Sequence, residues 1–309
     1  MPAEQTTAAA GEPGSDIRSG AESTLLERYS AFALDLDGVV WRGATILPGA
    51  VQALNKIRNA GKKLLLLSNN ASYSPRWVIE RLGKEGAEIG EDEILTSMLV
   101  ARRWITERGL GGKRAFLLVP ADVIGHLSDV VDPVPVERGQ DVELVLVGRD
   151  TAFSFERLAA AADAIRAGAT FVSVNRDPTL PAEGGRLDPG TGSVLSAIET
   201  ASGLPATVLG KPEQPMMKMG AEVLGVEGVL MVGDRLSSDI AGARNIGWDA
   251  ALVLSGVTDL SQPLEPPPDY VLDSVAELAV VRPESAAYEP GTTLERGEPY
   301  QGSGSRRYG

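Results

Sequence analysis

Short apolar runs recur along this chain at 31–36, 63–68, 115–119, 142–147, 170–174, 206–209, 228–232, 250–254 and 269–272, with capped helical patterns between them. That alternation is what a parallel sheet with crossover helices requires, because strands covered on both faces read as continuous apolar segments. The punctuation agrees. One helical pattern starts at Pro48 and stops at Gly61, with Val51, Leu54 and Ile57 on one face. A second has Ser74 as N-cap and Pro75 at its first position. A third, Ser154 to Ala167, is expected to bury Phe155, Leu158, Ala162 and Ile165 before Gly168 ends it. The expected fold class is α/β, a Rossmann-like doubly wound parallel sheet.

The chain has 309 residues, enough for one large or two moderate domains. The stretch from Asn70 to Lys211 is too long for a single crossover and carries its own strand and helix signals from about Gly109 to Leu204. It reads as an inserted α/β cap over 109–204, set into a core of 25–108 and 205–282. The ends, 1–24 and 283–309, are polar and rich in small residues, and are expected to be disordered tails.

Composition removes several function classes. A net charge of -13 argues against nucleic acid and anionic membrane surfaces as partners. No segment is apolar over the length of a membrane span, so the expected compartment is the cytoplasm. There is no cysteine and one histidine, His126, which rules out thiolate or two-histidine zinc sites and a cysteine nucleophile. A catalytic metal here would take oxygen ligands, which points to magnesium or a similar hard cation. The glycine-rich "GTGSVL" at 190–195 lacks the third glycine of a dinucleotide loop, and its helix is better explained by Thr191 or Ser193 as a cap.

Four polar clusters each follow a short apolar run. They are Asp35-x-Asp37-Gly38, then Ser68-Asn69-Asn70, then Lys211 in "VLGKPEQP", then Asp234 and Asp239 in "VGDRLSSDI". If Asp35 and Asp37 continued a strand, they would share a face roughly 7 Å apart. Two carboxylates in a buried segment repel and are costly to desolvate, and a divalent cation beside them would offset that cost. Each cluster alone is compatible with an ordinary turn or loop. Together they sit where the carboxyl ends of strands gather in a doubly wound sheet, the edge at which ligands bind.

This order resembles the haloacid dehalogenase superfamily. The flanking text, "LDLDGVVWRG", "LLLLSNNAS", "NRDPTLPAEGGRLDPGTGSVLSAIETASG", "LGKPEQPM" and "VGDRLSSDIAGARNIG", is similar to the class IIA, NagD-like phosphatases, over about Tyr29 to Asp273. The resemblance implies that Asp35 is a nucleophile forming an aspartyl-phosphate, and that Asp37 is the general acid and base. It further implies Mg2+ held by Asp35, the Asp37 carbonyl and Asp234, with Asp239 behind them orienting a metal-bound water or Lys211. Lys211 would neutralise Asp35 and the phosphoryl oxygens. Ser68 and Asn69, with Asn70 beside them, would bind the phosphoryl group, and Gly38 would let the backbone come close.

The implied cap supplies specificity from the loop 175–186, with Arg176, Asp177, Thr179 and Leu180 as substrate contacts. Relatives acting on pyridoxal phosphate usually carry a histidine at the position of Leu180, so the resemblance favours glycerol 3-phosphate or 2-phosphoglycolate. A small phosphorylated metabolite is the expected partner, and relatives often dimerise through the cap. Three alternatives stay open at this point: a nucleotide monophosphatase, a receiver-type module with a long-lived phosphoryl-aspartate, and a phosphate-binding module without turnover.

Overall fold

A computed structural model of the chain describes residues 23–282, apart from 182–185, 259 and 262. The larger of two parallel sheets has six strands, in the order Tyr270–Leu272, Asp249–Val253, Val229–Gly233, Ala31–Leu34, Lys63–Ser68 and Ile94–Thr96. The smaller has five, in the order Thr207–Val208, Thr170–Ser173, Leu144–Val147, Arg114–Leu118 and Asp132–Val134. Every pairing within these two sheets is parallel. Helices cover both faces, so the central strands are buried throughout, and Ala31–Leu34 has no exposed residue.

The expected α/β class is what the structure has. Thr207–Val208 pairs with Val172 and Ser173 of the smaller sheet, so the chain returns to the larger sheet later than residue 205. Of the expected N-terminal tail, Ser23 and Thr24 form a short antiparallel pair with Val281 and Arg282. The remaining tail residues, and 182–185 of the cap loop, lie outside the described residues.

Local chemistry explains most helix limits. Ser74 accepts the amide of Trp77 and Pro75 opens Pro75–Gly83, as expected. The helix expected from Pro48 runs Ala50–Asn59, with Val51, Leu54 and Ile57 buried. In Phe155–Arg166, Ser154 caps the amide of Arg157 and Ala162 and Ile165 are buried, but Phe155 is 79% exposed at the first helical position. Periodicity assigned it to the apolar face, whereas a residue in the first turn points off the end of the core. The helix Thr191–Ser202 is capped by neither Thr191 nor Ser193; Gly190 is its N-cap and makes no side-chain bond. Ser193 Oγ donates instead to the carbonyl of Pro178. Glycine is required at 190 by close approach, since a Cβ there would lie 2.3 Å from the carbonyl oxygen of Asp177.

Candidate active site

The Ala31–Leu34 strand stops one residue before Asp35. The chain then turns sharply, with the amides of Val39, Val40 and Trp41 all directed at the carbonyl of Leu36. Asp35 and Asp37 thus reach the same cavity through a turn, not through strand alternation. Gly38 is needed in this turn twice over: its φ is +89°, and a Cβ would lie 2.3 Å from Asp234 Oδ2.

Lys211 is the hub. It is 1% exposed, and its Nζ lies 2.7 Å from Asp35 Oδ1 and 2.8 Å from Asp239 Oδ1 while donating to the carbonyl of Leu67 at 2.7 Å. Burial opposes its charge, yet Asp239 and Asp35 outweigh burial and hold the ammonium above the ordinary lysine range. Burial pushes Asp35 well above the usual carboxylate range, with Lys211 opposing and the other aspartates adding to the rise.

Asp239 organises this wall. Its Oδ2 accepts the amides of Asp234 and Arg235 at 3.1 and 3.0 Å, which fixes the loop after the Val229–Gly233 strand. Its Oδ1 faces Lys211 as an ion pair but has no hydrogen-bond partner of good geometry. Asp234 Oδ2 accepts the amide of Val257 at 2.9 Å. Burial, with the charge of Asp239 adding to it, pushes Asp234 up to about 7.

One oxygen from each of Asp35, Asp234 and Asp239 lies within 4.8 Å of the others. Three buried carboxylates against one buried ammonium leave excess negative charge, and the charge of Asp239 adds to the burial that raises Asp234. An all-oxygen donor set of this charge fits a hard divalent cation. Asp239 is already committed to Lys211 and two amides, which leaves Asp35 and Asp234 as the side chains able to hold it.

Asn69 joins the clusters. Its Oδ1 accepts the amide of Lys211 at 2.7 Å and its Nδ2 donates to the Lys211 carbonyl at 3.0 Å, a reciprocal clamp. The same Nδ2 lies 3.1 Å from Asp177 Oδ2, and Asn175 Nδ2 donates to the carbonyl of Asn69 at 2.7 Å. Ser68 is buried, with its Oγ accepting the amide of Asn70. The Asn70 side chain accepts the amide of Ser72 and so shapes the loop. Burial raises Asp177 above the usual carboxylate range, with Arg235 opposing.

These residues surround a cavity of about 330 Å³. Asp35, Asp37, Ser68, Asn69, Asn70, Lys211 and Asp234 form one wall, and Asp177, Thr179 and Leu180 stand on the other. Thr179 and Leu180 belong to a hairpin, Thr179–Pro181 with Leu187–Pro189. Arg176 is the exception among the expected contacts. Its guanidinium makes a two-pronged pair with Glu199 at 2.8 and 2.7 Å, on the helix Thr191–Ser202, and it is absent from the described lining of the cavity. It braces the loop from outside.

Sequence reasoning missed four residues. Arg149 lines the cavity just after the Leu144–Val147 strand, and the strand-end rule used for the other clusters would have found it. Arg235 follows Asp234 directly and also lines it. Tyr73 and Trp41 carried no signal, yet both donate to Asp37 Oδ1, at 2.9 and 3.0 Å. Burial raises Asp37 above the usual carboxylate range, and these two hydrogen bonds oppose the rise.

Known proteins are similar to this chain in sequence and fold. Residues 32–130 match the family model described as haloacid dehalogenase-like hydrolase, and 208–278 match one described as HAD-hydrolase-like. The acid sugar phosphatase of Staphylococcus aureus is 31% identical over 261 residues, covering 82% of this chain and 99% of the relative. The p-nitrophenyl phosphatase of Archaeoglobus fulgidus superposes with a TM-score of 0.73 at 31% identity, covering 81% of this chain and 98% of that one. The glycerol phosphate phosphatase of Mycobacterium tuberculosis, in complex with magnesium, gives 0.73 at 31% identity, covering 84% and 79%. NagD from Escherichia coli K-12 gives 0.69 at 26% identity, covering 81% and 98%. The chain belongs to the haloacid dehalogenase-like hydrolases, among the NagD-like class IIA phosphatases, and is a phosphoric monoester hydrolase.

Proposed function

We propose that this chain is a magnesium-dependent phosphatase of small phosphorylated metabolites, acting in the cytoplasm through an aspartyl-phosphate on Asp35, with glycerol 3-phosphate or 2-phosphoglycolate as substrate. The observation that carries the reading is the buried cluster of Asp35, Lys211, Asp239 and Asp234 at the floor of a small cavity.

Asp35 attacks phosphorus while the ester P–O bond breaks, and the phosphoryl group moves to its carboxylate. Lys211 holds that carboxylate in place and offsets charge gathering on the phosphoryl oxygens. Asp37 gives a proton to the departing alcohol, then takes one from the water that attacks the aspartyl-phosphate. Ser68 stands beside the phosphoryl group, and Asn69 keeps Lys211 in register by its clamp on both sides of that residue's backbone. Asp35, the Asp37 carbonyl and Asp234 would hold the magnesium ion, which supplies positive charge against the phosphoryl oxygens.

The cavity volume is at the lower end for small-molecule sites, roughly 300–1,000 Å³, which supports a compact ester over a macromolecule. Leu180 in the lining and the likeness to a glycerol phosphate phosphatase support the two named substrates. The test is phosphate release with magnesium from glycerol 3-phosphate, 2-phosphoglycolate, pyridoxal phosphate, nucleoside monophosphates and p-nitrophenyl phosphate. The first two should give the highest kcat/KM among the natural esters. A nucleotide in first place would discard the substrate assignment and keep the chemistry.

A further inference from the structure

A single oxygen of Asp37 accepts two hydrogen bonds. Trp41 Nε1 reaches Oδ1 at 3.0 Å and Tyr73 OH reaches the same atom at 2.9 Å. A carboxylate oxygen offers two lone pairs, and an indole N–H can only donate. With both partners in place the lone pairs of Oδ1 are taken, so a proton carried by Asp37 sits on Oδ2. We infer that Tyr73 and Trp41 are positioning residues for the general acid: they lock the Asp37 carboxyl in one rotation and make Oδ2 the proton-giving oxygen. The inference rests on the reading of Asp37 as the acid and deepens it. As the P–O bond to the alcohol breaks and the bond from Asp35 to phosphorus forms, the proton passes from Oδ2 to the departing oxygen and Asp37 is left as carboxylate.

The surroundings make this lock rigid. The turn that gathers three amides on the Leu36 carbonyl also brings Gly38 N to the Trp41 carbonyl at 2.7 Å, which folds the indole back over Asp37. Trp41 is fully buried. Tyr73 meets it edge-on at 5.5 Å between ring centres and stacks on Trp77 at 4.7 Å and 10°. The Arg81 guanidinium lies 4.3 Å from the Trp41 ring centre and 5.1 Å from that of Trp77. Neither donor can swing away without unstacking this box. Asp37 and Tyr73 also border a second cavity, of about 560 Å³, beside Trp77 and Arg81. The acid therefore stands between the phosphoryl pocket and an outer space, where an unrestrained carboxyl would turn toward solvent.

If the two donors merely satisfied a buried carboxylate, their loss would harm every substrate alike. A role in aiming the proton harms only substrates whose leaving group needs one. The experiment compares kcat/KM for glycerol 3-phosphate and p-nitrophenyl phosphate in the wild type, Tyr73→Phe, Asp37→Asn and the double variant. The nitrophenolate leaves without a proton and the alkoxide does not. General acid catalysis contributes about 10²- to 10⁴-fold, so losing one of two positioning bonds should lower the alkyl-to-nitrophenyl ratio about tenfold. In the Asp37→Asn background, Tyr73→Phe should not change the ratio further, because the two act as a unit. Trp41→Phe keeps a buried ring but removes the other donor; it should shift the ratio the same way, and it serves if Tyr73→Phe does not fold. Equal losses on both esters, or full additivity with Asp37→Asn, overturn the positioning role. An Asp37→Asn variant that fails to discriminate the esters overturns the acid assignment beneath it, which separates the two failures.

Discussion

The two walls of the cavity are built differently. The core wall places Asp35, Lys211, Asp234 and Asp239 in near-complete burial, tied by charge pairs and backbone amides. The cap wall presents Thr179, Leu180 and Arg149 as partly exposed side chains, two of them on a hairpin three residues deep on each side. Arg149 is held by Asp188 at 3.2 Å and the Pro189 carbonyl at 3.1 Å. Charge that must meet a developing phosphoryl group works when it is already in place and dry, because reorienting it during reaction would forfeit the stabilisation. Selecting a substrate asks less, a fitting shape and a few polar groups. Core-wall substitutions should therefore lower turnover of every ester, whereas cap-wall substitutions should reorder the esters.

The largest effect should come from Asp35→Asn, which removes the proposed nucleophile and keeps the shape. Turnover should fall by about 10⁴-fold or more on both nitrophenyl and alkyl esters, the scale of other nucleophile removals. Steady-state assays with a check of melting temperature decide it. Substantial residual turnover in a folded variant would assign the attack elsewhere. Lys211→Met comes next, because it strands two carboxylates that now share one ammonium. Breaking a buried pair by removing one partner costs about 3–5 kcal/mol. Urea unfolding should show a loss of that order at pH 8 and a smaller loss at pH 5, since protonation relieves the stranded charge. A loss that does not change with pH would mean that the lysine is not what holds these carboxylates.

The same contrast decides what the sequence could reveal. Strand ends on the core wall were legible because polar clusters at Asp35, Lys211 and Asp234, each compatible alone with an ordinary turn, recur after several apolar runs and so gather at one edge of a doubly wound sheet. Lys63–Ser68 and Val229–Gly233 were legible as strands for the same apolar density. The edge strands Ile94–Thr96 and Asp132–Val134 were not: the first runs straight into the helix Ser97–Glu107 with no break between them, and the second contains a proline. The contact of Tyr73 with Asp37 was hidden because the two lie 36 positions apart and meet through the packing of one loop on another. Arg176 was misplaced for a related reason. Its neighbours Asp177 and Thr179 face the cavity, and only the position of the helix Thr191–Ser202 turns Arg176 the other way.

Removing the metal should give a smaller, pH-dependent effect on the core wall. Asp234 lies at about 7 in the folded chain against an ordinary 3.8. The folded state therefore binds more protons than the unfolded state between those values, and stability without metal falls as pH rises from about 4 to 7. A cation that must displace this proton binds about tenfold more weakly for each pH unit below 7, or about 1.4 kcal/mol. Magnesium should raise the melting temperature by about 4 °C more at pH 7 than at pH 6, and little more beyond pH 8. Thermal scans with and without magnesium, across that range, measure it. An increment flat with pH would remove Asp234 from the ion's ligands.

The smallest effect is expected for Arg176→Ala, and it sharpens the boundary of the cap wall. Arg176 and Glu199 are 46% and 19% exposed in their side chains, and pairs of this kind contribute about 0–1 kcal/mol. Glu199 also accepts the amide of Ala206 at 3.0 Å, so removing Arg176 leaves its carboxylate with one remaining backbone partner just before Thr207–Val208. Stability should drop within that range, and KM for each ester should stay within about twofold, since the pair is not part of the cavity lining. Leu180→Ala, on the same loop but facing the cavity, should instead change the KM values unequally among the esters. Measured side by side, the two variants test whether the loop's inner and outer faces divide as the structure has them. A tenfold rise in KM for Arg176→Ala would place its guanidinium among the substrate contacts after all.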